Sequence, residues 1–141
     1  MTELQLCKMA AAAMGKAYAP YSGYRVGAAL LSHSGKVYTG CNIENAAYTP
    51  TVCAERTAFF QAVSAGERGF AMIAVAGGKN GIISGAFPPC GVCRQVMAEF
   101  CAPDFPVLVV TGEDTYTAYR LGDLLPMAFT SVHVGLPPEN P

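Results

Sequence analysis

The chain predicts an α/β domain: a sheet with helices packed on both faces. Three observations carry this. Segments of helical and strand period follow one another in the order helix, hairpin, helix, strand, helix, strand. The strand candidates are short apolar runs bounded by glycine, serine or proline. The length, 141 residues, suits one domain with a proper core.

Each element has a local reason. Thr2 with Gln5 three places on fits a capping box, and Leu4, Cys7, Ala11, Met14 and Tyr18 recur on one helical face, which predicts a helix ended by Pro20 and Gly23. Val26 to Leu31, the turn Ser32-His33-Ser34-Gly35, and Lys36 to Cys41 predict a β-hairpin. Cys53 to Ala65 predicts a helix terminated by Gly66, and Phe70 to Ala76 a buried strand closed by Gly77-Gly78. Gly91 to Phe100 predicts a helix stopped before Pro103, Phe105 to Thr111 the next strand, and Leu121 to Leu125 a short helix before Pro126. With no repeat, linker or low-complexity segment, residues 1–141 are expected to form a single domain, with 136–141 a loose tail.

Composition narrows the function. Hydrophobic residues make up 52% and charged residues 13%, against roughly a quarter charged in an average soluble domain. So few charges predict apolar surface buried between subunits, hence a homo-oligomer. No apolar stretch approaches the 18 or so residues of a membrane span, so no membrane partner is expected. The net charge is −1 and no run of lysine or arginine is visible, which argues against nucleic acid and for a small-molecule substrate. Neither a secretory start nor a disulfide framework is apparent, and the six cysteines are expected to be reduced or metal-bound in a cytoplasmic protein.

The chemistry sits in two motifs, Cys53-Ala54-Glu55 and Pro89-Cys90-Gly91-Val92-Cys93. They read as three thiolates, Cys53, Cys90 and Cys93, for one zinc ion. Three ligands leave a tetrahedral zinc an open position, and hence hydrolytic chemistry. Each motif opens a predicted helix, where the partly positive N-terminus favours the thiolate. Glu55 is too close to Cys53 to be a routine fourth ligand and is placed for general acid/base work. Arg56 is placed to donate hydrogen bonds to the sulfurs and offset the charge of three thiolates.

Plainer readings exist for the same residues. A C-x-x-C alone also fits a thioredoxin-like redox pair or half of a structural zinc knuckle. His33 and His133, the only histidines, lie away from both motifs. Cys7, Cys41 and Cys101 suit buried small hydrophobes. Asn42, Glu44 and Asn45 suit turn chemistry, and Tyr24 and Phe129 would by default be core aromatics.

With C-A-E-R at 53–56 and P-C-G-V-C-R-Q at 89–95, the chain resembles the zinc-dependent nucleoside deaminases, specifically the small homotetrameric cytidine deaminases. Tyr21 to Leu30 and Asn42 to Ala46 extend the resemblance over nearly the whole chain. It implies a three-layer α/β/α sandwich around a mixed sheet of about five strands. It also implies one zinc per subunit on Cys53, Cys90 and Cys93, Glu55 as proton shuttle, and hydrolytic deamination of cytidine and deoxycytidine in pyrimidine salvage. Substrate contacts implied in the same way are the Ala54 N–H to the pyrimidine O2, Asn42 and Glu44 to the ribose, Tyr24 stacked on the base, and Phe129 reaching a neighbour's site in a homotetramer. Two positions depart from the family pattern: Tyr24 is often phenylalanine, and Pro88 is often serine, which removes a hydroxyl there. Three other functions compete. A deaminase of related nucleoside antibiotics is disfavoured by the ribose-clamp segment 42–45, and a polynucleotide-editing deaminase by the missing basic surface. A non-catalytic zinc module would need a fourth ligand.

Overall fold

A computed structural model describes residues 1–137. The sheet has the order β2-β1-β3-β4-β5, built from β1 (Tyr24–Ser32), β2 (Val37–Cys41), β3 (Phe70–Lys79), β4 (Pro106–Val110) and β5 (Tyr116–Arg120). Only the β3–β4 pair is parallel, so the sheet is mixed. Strand alternation divides its side chains between two cores. Ala29, Ala74, Ala76, Leu108 and Val110 pack with Leu6, Cys7, Ala10 and Met14 of the α1 layer. Ala28, Leu30, Ile73, Val75, Val107 and Val109 pack with Ala58, Phe59 and Ala62 of α2 (Ala54–Ser64) and with Cys93 and Met97 of α3 (Gly91–Phe100). The short α4 (Leu121–Leu124) joins the second core through Leu121. This is the expected three-layer α/β/α sandwich with five strands.

Two glycines let helices approach the sheet. A Cβ on Gly27 would fall 2.1 Å from the Ala10 carbonyl oxygen of α1, and one on Gly40 would fall 2.4 Å from that of Ala54 in α2. Both helix backbones therefore lie directly on the strands, on opposite faces.

Several boundaries differ from the sequence reading. The first helix, α1 (Glu3–Ala13), has the expected capping box but ends in a 3-10 turn at Met14–Lys16, well before Pro20. Tyr18 is drawn off the helical face into a bridge with Ile43: its N–H donates to the Asn42 carbonyl at 2.9 Å, and its carbonyl accepts from Glu44 N at 2.8 Å. Cys53 is the N-cap of α2 rather than its first residue. Gly77 and Gly78 do not close β3 but continue it to Lys79. Strand β5, largely exposed at the sheet edge, had no apolar run to announce it. Cys7 is buried as expected, whereas Cys41 and Cys101 are only partly so. Tyr24 and Phe129 are not core aromatics, being 42% and 62% exposed. Of the expected loose tail, only Leu136 and Pro137 fall within the described residues; the rest lies outside them. Among the described residues no helix is long and apolar enough to cross a membrane.

Candidate metal centre and active site

The start of α2 and the start of α3 face each other. Cys53 caps the first, Cys90 caps the second, and Cys93 lies in the first turn of the second. Their three Sγ atoms lie within 4.8 Å of one another, with Cys53–Cys90 at 3.7 Å and Cys90–Cys93 at 3.5 Å, and all three are free thiols. Sulfurs around a tetrahedral zinc at about 2.3 Å stand about 3.8 Å apart, so the cluster already has close to the required span.

The electrostatics agree. Cys53 is brought down to about 5, chiefly by a hydrogen bond from the Cys93 thiol, with Arg56 assisting against the opposing effect of burial. Cys93 is driven the opposite way, first by its hydrogen bond to Cys53 and then by burial. Three sulfurs this close cannot all ionise unaided; one thiolate forms at its neighbour's expense. A divalent cation removes that conflict, and the set of three soft sulfur donors suits zinc. Arg56 Nη2 donates to Cys53 Sγ at 3.4 Å, as the sequence suggested, and its own pKa is raised chiefly by that contact. Its Nε is buried without a hydrogen-bond partner.

Glu55, the next residue but one to Cys53, is 4% exposed. Burial is the main cause that pushes it up to about 7, with the Cys53 charge adding. A cavity of about 270 Å³ opens beside it, lined by Val26, Asn42, Glu44, Cys53, Ala54, Glu55 and Cys90 together with Thr51, Val52, Phe87 and Pro88. Two larger cavities elsewhere on the surface contain none of the predicted site residues, and a third, of about 360 Å³, shares Glu44 and Thr51 with this one.

Asn42 and Glu44 reach this cavity while bracing the chain that enters β1. Asn42 Oδ1 accepts from Val26 N at 2.9 Å and its Nδ2 donates to the Tyr24 carbonyl at 2.8 Å. Glu44 Oε1 accepts from the N–H groups of Tyr21 and Ser22, and Oε2 from Ser22 Oγ at 2.5 Å. The Ser22 hydroxyl is the first cause holding the Glu44 carboxyl below its ordinary range. The same groups thus hold the backbone of this segment and line the cavity.

The structure brings Cys53, Cys90, Cys93, Glu55, Arg56, Ala54, Asn42 and Glu44 together. Two of the predicted contacts stand apart from the cavity lining. Tyr24 meets Phe87, ring centroids 5.7 Å apart. Phe129 stacks on His133 at 5.2 Å, and its carbonyl accepts from Gln95 Nε2 at 2.7 Å. Sequence reasoning missed Ser22, Phe87 and Arg94. Arg94 donates through Nε to the Pro89 carbonyl and through Nη1 to the Leu124 carbonyl, each at 2.7 Å, and so ties the loop before Cys90 to α4. Arg94 lies within the 89–95 motif and Ser22 within the Tyr21 to Leu30 motif, but neither motif tells what these side chains reach.

Residues 1–109 match the family described as the cytidine and deoxycytidylate deaminase zinc-binding region. A cytidine deaminase of Sporosarcina psychrophila is 50% identical over 115 residues, covering 82% of each chain. One from Halalkalibacterium halodurans is 46% identical over 131 residues, covering 93% of this chain and 96% of that one. The crystal structure of cytidine deaminase from Burkholderia pseudomallei superposes with a TM-score of 0.84 at 49% identity, covering 92% of this chain and all of the other.

Proposed function

The chain belongs to the cytidine and deoxycytidylate deaminase family, and we propose that it hydrolyses cytidine and deoxycytidine to uridine and deoxyuridine, releasing ammonia, as an enzyme of pyrimidine salvage. The observation that carries this reading is one cavity whose lining joins a buried carboxyl, Glu55, to Cys53 and Cys90 and to Asn42 and Glu44. One zinc ion is the cofactor, and Cys53, Cys90 and Cys93 would hold it. Bound there, zinc supplies the Lewis acidity that makes water a nucleophile near neutral pH.

The remaining work falls to the protein. Glu55 takes a proton from the attacking water and delivers it to N3 of the pyrimidine, then carries the second to the departing amine. One water is consumed, the C4–N bond breaks and a C4–O bond forms. Ala54 lies at the first position of α2, where helix amides lack intrahelical partners, so its N–H is available to the pyrimidine O2. Asn42 and Glu44 face the cavity with donors and acceptors matched to ribose hydroxyls. Tyr24 supports the aromatic side of the base site, and Arg56 draws charge from the sulfurs.

The same reading extends to a single cytoplasmic domain that assembles as a homotetramer. Met127, Phe129, Val132, Val134 and Leu136 are all exposed within one short segment, a cost best relieved by a permanent interface. Phe129 from one subunit would then complete the site of the next.

The test is ammonia release from cytidine, deoxycytidine, cytosine and cytidine monophosphate, with zinc measured on the same sample. Both nucleosides should be turned over in preference to the base and the nucleotide. Glu55→Gln should keep its zinc and lose roughly 10²- to 10⁴-fold in kcat. A fully active Glu55→Gln protein sinks the shuttle role, and a zinc-free active enzyme sinks the whole scheme.

A further inference from the structure

We propose that Phe87, seated on Gly77, is the aromatic wall of the base site and sets how the pyrimidine lies in the cavity. This rests on the nucleoside reading above. Phe87 is the one aromatic residue among those lining the cavity that also contains Asn42, Glu44, Ala54 and Glu55. A ring at that place offers a planar nucleobase a face to stack on, an interaction that cavity polarity alone does not supply.

Three features hold the ring. Gly77 lies opposite Val26 across the β1–β3 pair, and Val26 itself lines the cavity, so both positions belong to the same face of the sheet. A Cβ at Gly77 would fall 2.8 Å from Phe87 Cγ and 2.9 Å from Cδ2, so the ring rests on bare backbone. This is why β3 carries a glycine inside the strand, where it otherwise weakens pairing. Next, Tyr24 braces the ring at 5.7 Å with a 39° tilt, while Lys79 Nζ stands 5.6 Å from the Tyr24 centroid. Finally, Pro88 and Pro89 follow immediately, restricting the backbone that presents the ring and joining it directly to Cys90. Tyr24 and Gly77 are thus positioning residues that act through Phe87.

The experiment is a double-mutant cycle of Phe87→Leu and Gly77→Ala, with Phe87→Tyr as the conservative variant. Readouts are kcat and KM for cytidine, zinc content, and the Kd of the product uridine by calorimetry, which needs no turnover. Phe87→Leu should raise KM and the uridine Kd about three- to tenfold with kcat and zinc retained, the scale of one lost aromatic contact. Phe87→Tyr should restore most of that loss. Gly77→Ala should displace the ring and weaken uridine binding by a similar factor, yet add little in the Phe87→Leu background, since the two act as a unit. Unchanged uridine binding by Phe87→Leu overturns the proposal. So does a pair of effects that simply multiply, or a loss confined to zinc content and kcat. Wild-type protein that binds uridine but does not release ammonia from cytidine would instead count against the deaminase reading, leaving the binding arms to decide the role of Phe87. Wild-type protein that does neither would overturn both.

Discussion

Replacing Gly40 with alanine should damage the enzyme from a position that touches no substrate. Gly40 lies in β2, and an added Cβ there would sit 2.4 Å from the Ala54 carbonyl oxygen, 2.6 Å from Ala58 N and 3.1 Å from Ala58 Cα. All three atoms are helix backbone, so no side chain can rotate away. Restoring ordinary contact requires α2 to lift by about 1 Å, a rearrangement of the overpacking kind that costs about 1–3 kcal/mol. For a chain of this length that corresponds to a fall of roughly 3–12 °C in apparent Tm. The functional loss should be larger in proportion, because α2 carries Cys53, Ala54 and Glu55 whereas Cys90 and Cys93 ride on α3. A displacement of about 1 Å between reacting groups can cost on the order of 100-fold in rate. The assays are ammonia release from cytidine, zinc content and thermal unfolding. Gly15→Ala is the control, because a Cβ there meets nothing within 4 Å and the position has no left-handed backbone. Wild-type kcat and Tm in Gly40→Ala would refute the claim that α2 rests on β2 without slack.

Four further changes probe separate parts of the site. Arg56→Ala removes the donor 3.4 Å from Cys53 Sγ and should lower both zinc retention under chelator challenge and kcat; unchanged values would exclude Arg56 as a charge-withdrawing partner. Arg94→Ala cuts both 2.7 Å bonds that tie Pro89 to α4, and should speed zinc loss more than it raises KM, with Arg94→Lys restoring little because one ammonium cannot reproduce the forked donor; equal zinc loss rates would refute the strap. Ser22→Ala removes the first cause of the lowered Glu44 pKa. A depressed carboxyl keeps its charge until the pH falls through its folded pKa, so the variant should protonate sooner and its KM should begin to rise at a higher pH than wild type; superimposable KM profiles would exclude this. Phe129→Ala should weaken assembly or raise KM, read by sedimentation and kinetics, and no change in either would remove Phe129 from the site.

The layered fold was legible because its signals are local. Gly91 and Phe100 bound α3 in the structure as they do in the sequence, and the Thr2–Gln5 box caps α1. Errors arose where distant partners override local preference. Tyr18 keeps helical spacing but spends its backbone on Asn42 and Glu44. Gly77 and Gly78 look like strand terminators, yet each makes room for chain that folds back on the strand: a Cβ at the first would meet the Phe87 ring, and one at the second would fall 1.6 Å from the carbonyl oxygen of Ile82 in the turn that follows. For the site the division is similar. The three cysteines and Glu55 are recognisable by spacing because each motif starts a helix, which fixes where its side chains point. Phe87 and Arg94 gain their roles only from what they rest on or reach across to, and no spacing rule records that.

The charge arrangement suggests why the site should prefer an uncharged substrate. Cys53, Cys90 and Cys93 as thiolates on a divalent cation would carry one net negative charge, and Glu55 and Glu44 each add a carboxyl to the same cavity. Arg56 supplies a cation, but its guanidinium is already directed at Cys53 and is the only basic group so placed among the bonds of the described cluster. Lys79 and Arg94 are otherwise engaged, one near the Tyr24 ring and the other on backbone carbonyls. A phosphate brought into this cavity would meet negative charge with no cationic side chain in the lining to offset it, a penalty that grows as water is excluded. Glu44 sharpens the effect, since three hydrogen bonds from Tyr21 and Ser22 stabilise its charged form before any ligand arrives. Glu44, one of the two groups that would clamp a ribose, is thus also a group that would repel a nucleotide's phosphate.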